Sequence, residues 1–194
     1  METVHLVGVC GTAMATLAAM LKDEGYLVRG SDQHVYPPMS DFLAAREIPF
    51  HNGFSSDHIT PDIDLVVIGN AVSRGNPEVE AVLDRKIRYR SLPEMVRETW
   101  LWSRRSIVVA GTHGKTTTTA LVSWVLTDGG YDPSFLVGGL TGNFGSSYRL
   151  GKGQEFVIEG DEYDSAFFDK TAKFLKYLGC ELRIGQAETG PVIR

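Results

Sequence analysis

A short glycine-rich stretch with one lysine and a run of threonines has the residue types that a phosphate-binding loop needs. Gly111, Gly114, Lys115 and Thr116 form the pattern GxxGKT. Glycines let backbone N–H groups close on phosphate oxygens, and the N-terminus of a following helix adds unsatisfied donors and a favourable dipole. In such loops the lysine neutralises the charge of the β- and γ-phosphates, and the hydroxyl ligates Mg²⁺. The pattern therefore predicts a nucleotide site.

The sequence on either side of this loop supports the prediction. Residues 106–128 have the pattern of a buried strand, the loop and a long apolar helix, which is the context that the motif requires. Residues 116–119 are all threonines, which are poor helix formers, so four hydroxyl groups in a first helical turn suggest a polar ligand. The loop is shorter than in common GTPases, because Val109 stands where the usual pattern has its first glycine. The alternative interpretation is a glycine-rich turn before a core helix.

Acidic residues follow the next buried strand that the sequence predicts after the loop. Residues 155–158 form this strand, and Glu159, Asp161, Glu162 and Asp164 come at its exit. A strand that ends in acids after a phosphate-binding loop is where a carboxylate for Mg²⁺ belongs. We therefore predict Thr116 as a metal ligand together with a carboxylate from this group, which binds Mg²⁺ directly or supports its ligands. The alternative is a solvated acidic turn.

A second glycine turn lies near the N-terminus. Residues 4–9 predict an apolar strand, and Gly8 and Gly11 stand where a helix begins. A second strand, residues 26–29, ends just before Ser31 and Asp32, which places an acid a little over 20 residues after the first glycine, as in dinucleotide-binding units. The glycine fingerprint is broken at Cys10 and at position 13, so a plain structural turn remains an alternative, with Asp32 as a strand-end residue.

The elements between these two turns alternate between strand and helix. Pro37 and Pro38 exclude a helix interior, and Ser40 is predicted to cap a helix that runs to residue 46. Further elements are predicted as strands at 49–51 and 64–69, a polar loop at 70–75, a helix at 76–85 that begins with Asn76-Pro77, and a helix from Pro93. Four strands alternate with helices before residue 104, where a new strand–loop–helix unit begins. This order predicts an α/β fold, with a Rossmann-like N-terminal domain followed by a second α/β domain that carries the phosphate-binding loop.

Composition excludes several classes of function. The chain has 194 residues and a formal net charge of −5, and its basic residues are scattered, so we predict no nucleic-acid surface. Its apolar runs are too short to span a membrane, and we predict no membrane partner. The two cysteines have no metal-binding spacing. These features predict a cytoplasmic protein, and they leave its oligomeric state undetermined.

Taken together, the motifs resemble those of the Mur ligase family, ATP-dependent enzymes that form amide bonds in peptidoglycan metabolism. The stretches that carry the resemblance are GVCGTAM at 8–14, SD at 31–32, VYPPMS at 35–40, GNAVSRGNPEVEAVL at 69–83, AGTHGKTTT at 110–118 and IEGDEYDSAFFDK at 158–170. Within the family, VYPPMS, SRGNPEVEAVL and DEYDSAFFDK most resemble the branch that joins L-alanyl-γ-D-glutamyl-meso-diaminopimelate to UDP-N-acetylmuramate during wall recycling. A residue that departs from the family is Gly160, where relatives usually have alanine.

The resemblance implies a two-step reaction. A carboxylate does not condense with an amine in water unaided, so ATP first phosphorylates the lactyl carboxylate of UDP-N-acetylmuramate, and the amine of the murein tripeptide then attacks the acyl-phosphate. The protein would contribute positioning and charge stabilisation. Lys115 is the predicted catalytic residue, on the γ-phosphate, and the resemblance implies Thr116 and Glu159 as the ligands of Mg²⁺. The predicted ATP-binding residues are Gly111, Thr112, His113, Gly114, Lys115, Thr116 and Thr117, and the predicted UDP-sugar-binding residues are Gly8, Gly11, Ser31, Asp32 and Asn70. For His113, a phosphate contact and a simple loop spacer both remain open.

The resemblance covers about residues 4–177, and members of the family have three domains, for the UDP-sugar, for ATP and for the incoming amino acid or peptide. It implies a Rossmann-like UDP-sugar-binding domain at 1–103, a truncated P-loop ATP-binding domain at 104–177 and a divergent tail at 178–194. The peptide-binding domain is then absent, and we expect no ligase activity from these residues alone. Three alternatives remain: the UDP-N-acetylmuramate L-alanine ligase branch, a non-catalytic nucleotide-binding fragment, and another P-loop kinase or GTPase.

Overall fold

The computed structural model describes residues 1–160 and 177, together with the backbone of 164–166, 169–172, 182–184, 186–187 and 190–191. The chain divides into two compact units. The first comprises Met1–Met95 with Ser165–Lys170, and the second comprises Val96–Asp164 with Thr171–Arg194. The domain limits inferred from the sequence, with a boundary near residue 103, stay a prediction.

The first unit has a five-stranded parallel sheet. Its strands are β1 (Thr3–Val7), β2 (Leu27–Asp32), β3 (Phe50–Asn52), β4 (Leu65–Ile68) and β5 (Tyr89–Ser91), and its helices are α1 (Thr12–Asp23), α2 (Met39–Ala45), α3 (Pro77–Asp84) and the start of α4 (Leu92–Thr99), with a short 3₁₀ helix at Ser56–His58. The strand order is β3-β2-β1-β4-β5, and every neighbouring pair is parallel. This order is that of a Rossmann-type sheet, so the predicted fold class is confirmed.

The central strands of this sheet are buried on both faces. β4 is apolar throughout and fully buried, as expected for a parallel strand with helices on either side. α1 contributes an unbroken run of buried residues from Met14 to Leu21. β1 is buried from Val4 onward, and this buried part contains one polar residue, His5, with no exposed surface. A polar side chain at the centre of a parallel sheet requires a partner.

Two local predictions in this unit were wrong, and one was confirmed. The sequence predicted four strands, but Tyr89–Ser91 forms a fifth at the edge of the sheet; it is too short to show an alternating pattern. Ser40 does not cap α2, because the helix begins one residue earlier, at Met39, after Pro38. Asn76 does cap α3, and its Oδ1 accepts hydrogen bonds from the N–H groups of Glu78 (2.9 Å) and Val79 (3.3 Å).

Gly30 allows β2 to approach the chain that follows β1. A Cβ atom at this position would lie 2.6 Å from Cβ of Val9 and 2.7 Å from the carbonyl oxygen of Leu6. We therefore expect Gly30→Ala to lower the free energy of unfolding by about 3 kcal/mol, because backbone and a β-branched side chain must move apart. Urea unfolding followed by circular dichroism measures this difference. Gly142→Ala is the control, because its Cβ would have no neighbour within 4 Å; an equal loss in both variants would contradict the packing argument.

The second unit is also built on a five-stranded sheet. Its described elements are a 3₁₀ helix (Leu101–Ser103), β6 (Arg105–Ala110), α5 (Lys115–Asp128), β7 (Ser134–Leu136), β8 (Tyr148–Arg149), β9 (Glu155–Gly160), β12 (Leu182–Ile184), and the small pair of β13 (Gln186–Ala187) with β14 (Gly190–Pro191). A further small pair, β10 (Asp164–Ala166) with β11 (Asp169–Ala172), has residues that belong to both units. The sheet order is β12-β6-β9-β7-β8, in which only β8 is antiparallel to its neighbour. Its core includes Val109, Phe135 and Val157. In the described part of the chain, no helix combines the length and the apolar character needed to cross a membrane.

Candidate functional site

The predicted phosphate-binding loop joins β6 to α5 in the second unit. β6 is rich in buried β-branched residues, and α5 begins directly after Gly114, so the strand–loop–helix context of the motif is present. Gly114 has a left-handed conformation with φ of 75°, and a Cβ there would have no neighbour within 4 Å. This backbone favours glycine, and it leaves open space above the N-terminus of the helix. No side chain caps α5 and no acidic residue lies in its first turn, so its N-terminal donors are suited to an anion.

Lys115 is held across this loop. Its Nζ donates a hydrogen bond to the carbonyl oxygen of Gly111 at 2.7 Å. The contact places the ammonium group on the loop side of α5, at the end of the helix where phosphates bind in such motifs. Thr112, His113 and Gly114 are exposed beside it. The structure thus brings the predicted loop residues together, and their contacts to ATP stay a prediction.

The threonines that follow Lys115 divide into two groups. Thr116 and Thr117 are exposed in the first turn of α5, whereas Thr119 is buried. The hydroxyl of Thr119 donates to the carbonyl oxygen of Lys115 at 2.8 Å. A hydrogen bond of this kind lets a threonine satisfy its hydroxyl within the helix. Of the four hydroxyls that suggested a polar ligand, the one at Thr119 therefore serves the helix itself.

Glu159 lies in β9, next to the strand that leads into the loop. It is paired in register with Val109 and is half-buried. Its Oε2 accepts a hydrogen bond from the N–H of Gly138 at 2.6 Å, and its Oε1 is buried and has no hydrogen-bond partner among the described residues. A buried carboxylate oxygen without a partner is costly. This atom is consequently a candidate ligand for a cation.

Glycines after β7 bring Thr116 and Glu159 to the same short segment. A Cβ at Gly138 would meet Oε2 of Glu159 at 2.6 Å, and a Cβ at Gly139 would lie 3.7 Å from Cγ2 of Thr116. The two predicted Mg²⁺ ligands thus flank one stretch of backbone. Within the described residues, no three His, Cys, Asp or Glu side chains form a group that could hold a metal by themselves. Of the other predicted acids, Asp161 and Glu162 lie outside the described residues, and Asp164 is described only as backbone in β10.

The glycine turn of the first unit lies at the point where the strand order of the sheet reverses. β1 is the central strand, and the chain adds β2 on one side of it and β4 on the other. Open α/β sheets bind ligands in the crevice outside the carboxyl ends of the two strands at such a point. The loop after β1, residues 8–11, and the loop after β4, residues 70–75, both start there. Gly11 and Asn70 are exposed, and Gly8 is half-buried with φ of 85°.

Ser31 and Asp32 shape the first of these loops. The carbonyl oxygen of Ser31 accepts hydrogen bonds from the N–H groups of Gly8 (2.8 Å) and Val9 (3.0 Å). Oδ2 of Asp32 accepts from the N–H of Cys10 at 2.8 Å, and its Oδ1 accepts from the N–H of His34 at 2.9 Å. The hydroxyl of Ser31 is fully buried. Both residues therefore hold the loop in place.

Cys10 has the properties of an unreactive thiol. Burial raises its pKa, and the carboxylate of Asp32 raises it further, to about 11. A thiol with such a pKa is almost entirely protonated at neutral pH, so it is a poor nucleophile. Among the described residues it takes part in no disulfide.

Sequence reasoning missed a buried polar cluster that lies behind this loop. Glu78, at the start of α3, has no exposed surface, and neither has His5 in β1. Oε2 of Glu78 accepts hydrogen bonds from Nε2 of His5 (3.2 Å) and from the hydroxyl of Ser31, while its Oε1 accepts from Nδ1 of His58 (2.7 Å). A signal was present in the sequence, because a histidine in the middle of an apolar strand needs a buried partner.

One wholly parallel sheet and one sheet that is parallel except for β8 each carry a glycine loop at the carboxyl end of a strand. This arrangement defines an α/β protein and is typical of nucleotide-binding folds. Residues 3–100 match the model of the Mur ligase family, catalytic domain. The chain belongs to the Mur ligase family, whose members are ligases of peptidoglycan precursors.

Individual relatives are similar over most of the chain. A UDP-N-acetylmuramate–L-alanyl-gamma-D-glutamyl-meso-2,6-diaminoheptandioate ligase from Escherichia coli is 49% identical over 174 residues, which are 90% of this chain and 38% of the relative. A UDP-N-acetylmuramate–L-alanine ligase from Neisseria gonorrhoeae is 38% identical over 174 residues, which are 88% of this chain and 36% of the relative. The crystal structure of the UDP-N-acetylmuramate:L-alanyl-gamma-D-glutamyl-meso-diaminopimelate ligase from Neisseria meningitides superimposes with a TM-score of 0.87 at 43% identity, over 91% of this chain and 58% of that one. The chain thus spans less than two fifths of the length of these curated relatives.

Proposed function

We propose that this chain supplies the UDP-sugar-binding and ATP-binding parts of a cytoplasmic ligase that joins L-alanyl-γ-D-glutamyl-meso-diaminopimelate to UDP-N-acetylmuramate. The choice of the tripeptide as substrate rests on a difference in sequence identity between two relatives. Over alignments of 174 residues, the chain is 49% identical to the relative named for this tripeptide and 38% identical to the relative named for L-alanine. The product with the tripeptide and the product with L-alanine would both be used in peptidoglycan assembly or recycling.

The loop between β6 and α5 fits the triphosphate of ATP. The left-handed Gly114 and the uncapped N-terminus of α5 present backbone donors without obstruction by side chains. Lys115 lies at the same end of the helix, where its ammonium group would move from the carbonyl oxygen of Gly111 to the γ-phosphate. We assign the adjacent loop residues Gly111, Thr112, His113, Thr116 and Thr117 to the same site. For His113, a direct phosphate contact and a spacer role remain two hypotheses.

The residues near the loop also fit Mg²⁺. This ion takes hard oxygen ligands, and it is usually held by one or two carboxylates together with substrate phosphates and water. The unpaired Oε1 of Glu159 and the hydroxyl of Thr116 are ligands of this type. In this site the ion would neutralise charge on the β- and γ-phosphates.

The first unit would bind UDP-N-acetylmuramate at its two strand-end loops. Gly8 and Gly11 allow close approach of the diphosphate to the backbone and to the N-terminus of α1, and Asn70 is exposed on the neighbouring loop. Ser31 and Asp32 belong to this site through the hydrogen bonds that hold the loop after β1. Ligation would then proceed through phosphorylation of the lactyl carboxylate and attack of the tripeptide amine on the acyl-phosphate. In both steps the protein would position groups and stabilise developing charge.

Binding of the two nucleotides is the direct test. We expect UDP-N-acetylmuramate to shift backbone amide resonances of residues 8–14, 31–32 and 70–74 in an NMR titration, and Mg-ATP to shift those of residues 111–117. If the UDP-sugar shifts only resonances outside these ranges, the proposed location of its binding site is wrong. UMP serves as a control ligand, because it lacks the diphosphate that the glycine loop should recognise.

Product analysis distinguishes the alternatives. The protein encoded by the complete reading frame is incubated with ATP, Mg²⁺, UDP-N-acetylmuramate and either the tripeptide or L-alanine, and products are identified by mass spectrometry. A tripeptide adduct supports the proposal, an alanine adduct supports the L-alanine ligase alternative, and nucleotide binding with neither adduct supports a non-catalytic protein. That the 194 residues alone bind without ligating stays a prediction, which the same assay checks.

A further inference from the structure

Glu78 connects four segments of the first unit through one carboxylate. It lies in the first turn of α3, and it accepts hydrogen bonds from His5 in β1 and Ser31 in β2. Its other oxygen accepts from His58 in the 3₁₀ helix and, at 3.3 Å, from the N–H of Ser55 just before that helix. A side chain with this many partners fixes the relative positions of the segments that carry them.

The cluster requires the charged form of the carboxyl group. Burial alone raises the pKa of Glu78, but the hydrogen bonds from His5, Ser31 and His58 outweigh burial, and the pKa lies below its ordinary value. Each oxygen of the carboxylate accepts from two donors. A glutamine could accept at only one of these positions, because its amide nitrogen would face the other two donors. A single-atom change therefore leaves buried donors without an acceptor.

The segments that Glu78 connects lead directly to both strand-end loops. Ser31, whose hydroxyl donates to Glu78, holds the N–H groups of Gly8 and Val9 with its carbonyl oxygen. On the other side, α3 is capped by Asn76 immediately after the loop at 70–75. Displacement of Glu78 would therefore move the anchor of one loop and the helix that ends the other.

We propose that Glu78 is a positioning residue for the UDP-sugar site, and that the stacked imidazoles of His51 and His58 make this positioning sensitive to acid. The proposal rests on the proposed function of the first unit. Glu78 has no exposed surface, so it acts on the ligand through the loops and not by contact. His51 is exposed, and it forms the solvent-facing end of the chain of contacts that runs through His58 to Glu78.

The two imidazoles stack closely enough for a charge on one to affect the other. Their ring centroids are 4.0 Å apart and their planes differ by 9°. Burial lowers the pKa of His51 below 6.5, the neighbouring His58, His5 and Arg29 lower it as well, and Glu78 acts in the opposite direction. Protonation of His51 thus opposes the folded arrangement, so we expect the stack of His51 on His58 to weaken as the pH falls.

The direction of the pH effect on stability depends on whether the folded or the unfolded chain binds protons more tightly. His51 takes up a proton more readily in the unfolded chain, so its stabilising contribution is complete above about pH 6.5 and declines below that value. Glu78 acts in the same sense at lower pH, because its contribution is present above its unfolded pKa and is lost as the pH falls through the lowered folded value. Both groups therefore make the cluster weaker in acid.

Hydrogen exchange of the ligand-free chain tests the positioning. We expect Glu78→Gln to reduce the protection of the Gly8 and Val9 amides about tenfold, because their acceptor on Ser31 is no longer fixed. Asp84→Asn, an exposed acid at the end of the same helix, is the matched control and should leave both amides unchanged. If Glu78→Gln does not fold, His58→Gln removes one donor from the surface end and should give a smaller loss at the same amides. Unchanged protection in a folded variant of the cluster would overturn the proposal.

Binding of UDP-N-acetylmuramate supplies the second measurement. Calorimetry at pH 7.5 should give an affinity about tenfold weaker for Glu78→Gln than for the parent chain, with Asp84→Asn within twofold of the parent. Between pH 7.5 and 5.5 the parent should lose affinity severalfold, and His51→Asn should flatten this dependence. A pH profile that His51→Asn leaves unchanged would overturn the role of the imidazoles. If the parent binds no UDP-sugar but Glu78→Gln still loses amide protection, the proposed function fails while the positioning of the loops stands.

Discussion

Lys115→Ala should weaken the binding of Mg-ATP about 100-fold, which corresponds to about 2.7 kcal/mol. Lys115 is the basic residue of the loop between β6 and α5, and its Nζ reaches across that loop to the carbonyl oxygen of Gly111. A charge-assisted hydrogen bond to phosphate is among the stronger polar contacts, and its removal leaves phosphate charge uncompensated. Calorimetric titration of the parent and the variant with Mg-ATP gives the ratio of affinities.

Lys152→Ala is the matched control for this variant. Lys152 is an exposed lysine of the same unit, so its removal changes the net charge equally but lies away from the loop. We expect its affinity for Mg-ATP to stay within twofold of the parent. Equal binding by Lys115→Ala and Lys152→Ala would exclude the loop as the nucleotide site.

Glu159→Gln should remove most of the dependence of ATP binding on Mg²⁺. The parent chain should bind ATP at least about tenfold more tightly with Mg²⁺ than without it, because the cation joins the phosphates to the carboxylate. Glutamine retains the shape of the side chain and can accept the hydrogen bond from Gly138, but it carries no charge for the ion. The affinity of the variant for ATP should therefore differ by no more than about twofold between Mg²⁺ and EDTA.

Glu155→Gln provides a control on the same strand. Glu155 lies at the opposite end of β9, where its Oε1 is 3.7 Å from Nη1 of Arg105. This change alters a largely buried carboxylate without altering the end of the strand next to the loop, so the effect of Mg²⁺ should be preserved. A Mg²⁺ effect in Glu159→Gln as large as in the parent would mean that the cation is held without this carboxylate.

The sequence predicted the strand-and-loop parts of the fold because they depend on local patterns. One local pattern identifies β6, the phosphate-binding loop and α5, because an apolar run, the glycines and a long helix follow one another in the sequence. This pattern can be recognised without knowledge of tertiary contacts. Asn76-Pro77 likewise identified the start of α3, since a side-chain cap and a first-turn proline act within a few residues. Short elements were less predictable, because the three residues of β5 form a strand only through their pairing with β4.

The polar cluster could not be predicted because its members are far apart in the sequence. His5 and Glu78 are separated by 73 residues, and Ser31 and Glu78 by 47. Periodicity identifies β1 as a buried strand, but it cannot name the partner that a buried histidine must have. The same limit applies to Glu159, whose place in the sequence suggested a Mg²⁺ ligand, while the contact with Gly138 and the unpaired oxygen depend on the packing of β7 beside β9.

The order in which strands join each sheet has a consequence for synthesis on the ribosome. In the first unit β1 is made first and is central, so each later strand can add to an edge that already exists. In the second unit β6 and β7 are not neighbours, and β9, which lies between them, ends at Gly160. That sheet can form only after β9 has been synthesised and has inserted between β6 and β7. Pairing of strands that are far apart in the sequence is slow. The nascent chain can therefore complete the five-stranded sheet of the first unit while the second sheet still exposes the edges of β6 and β7.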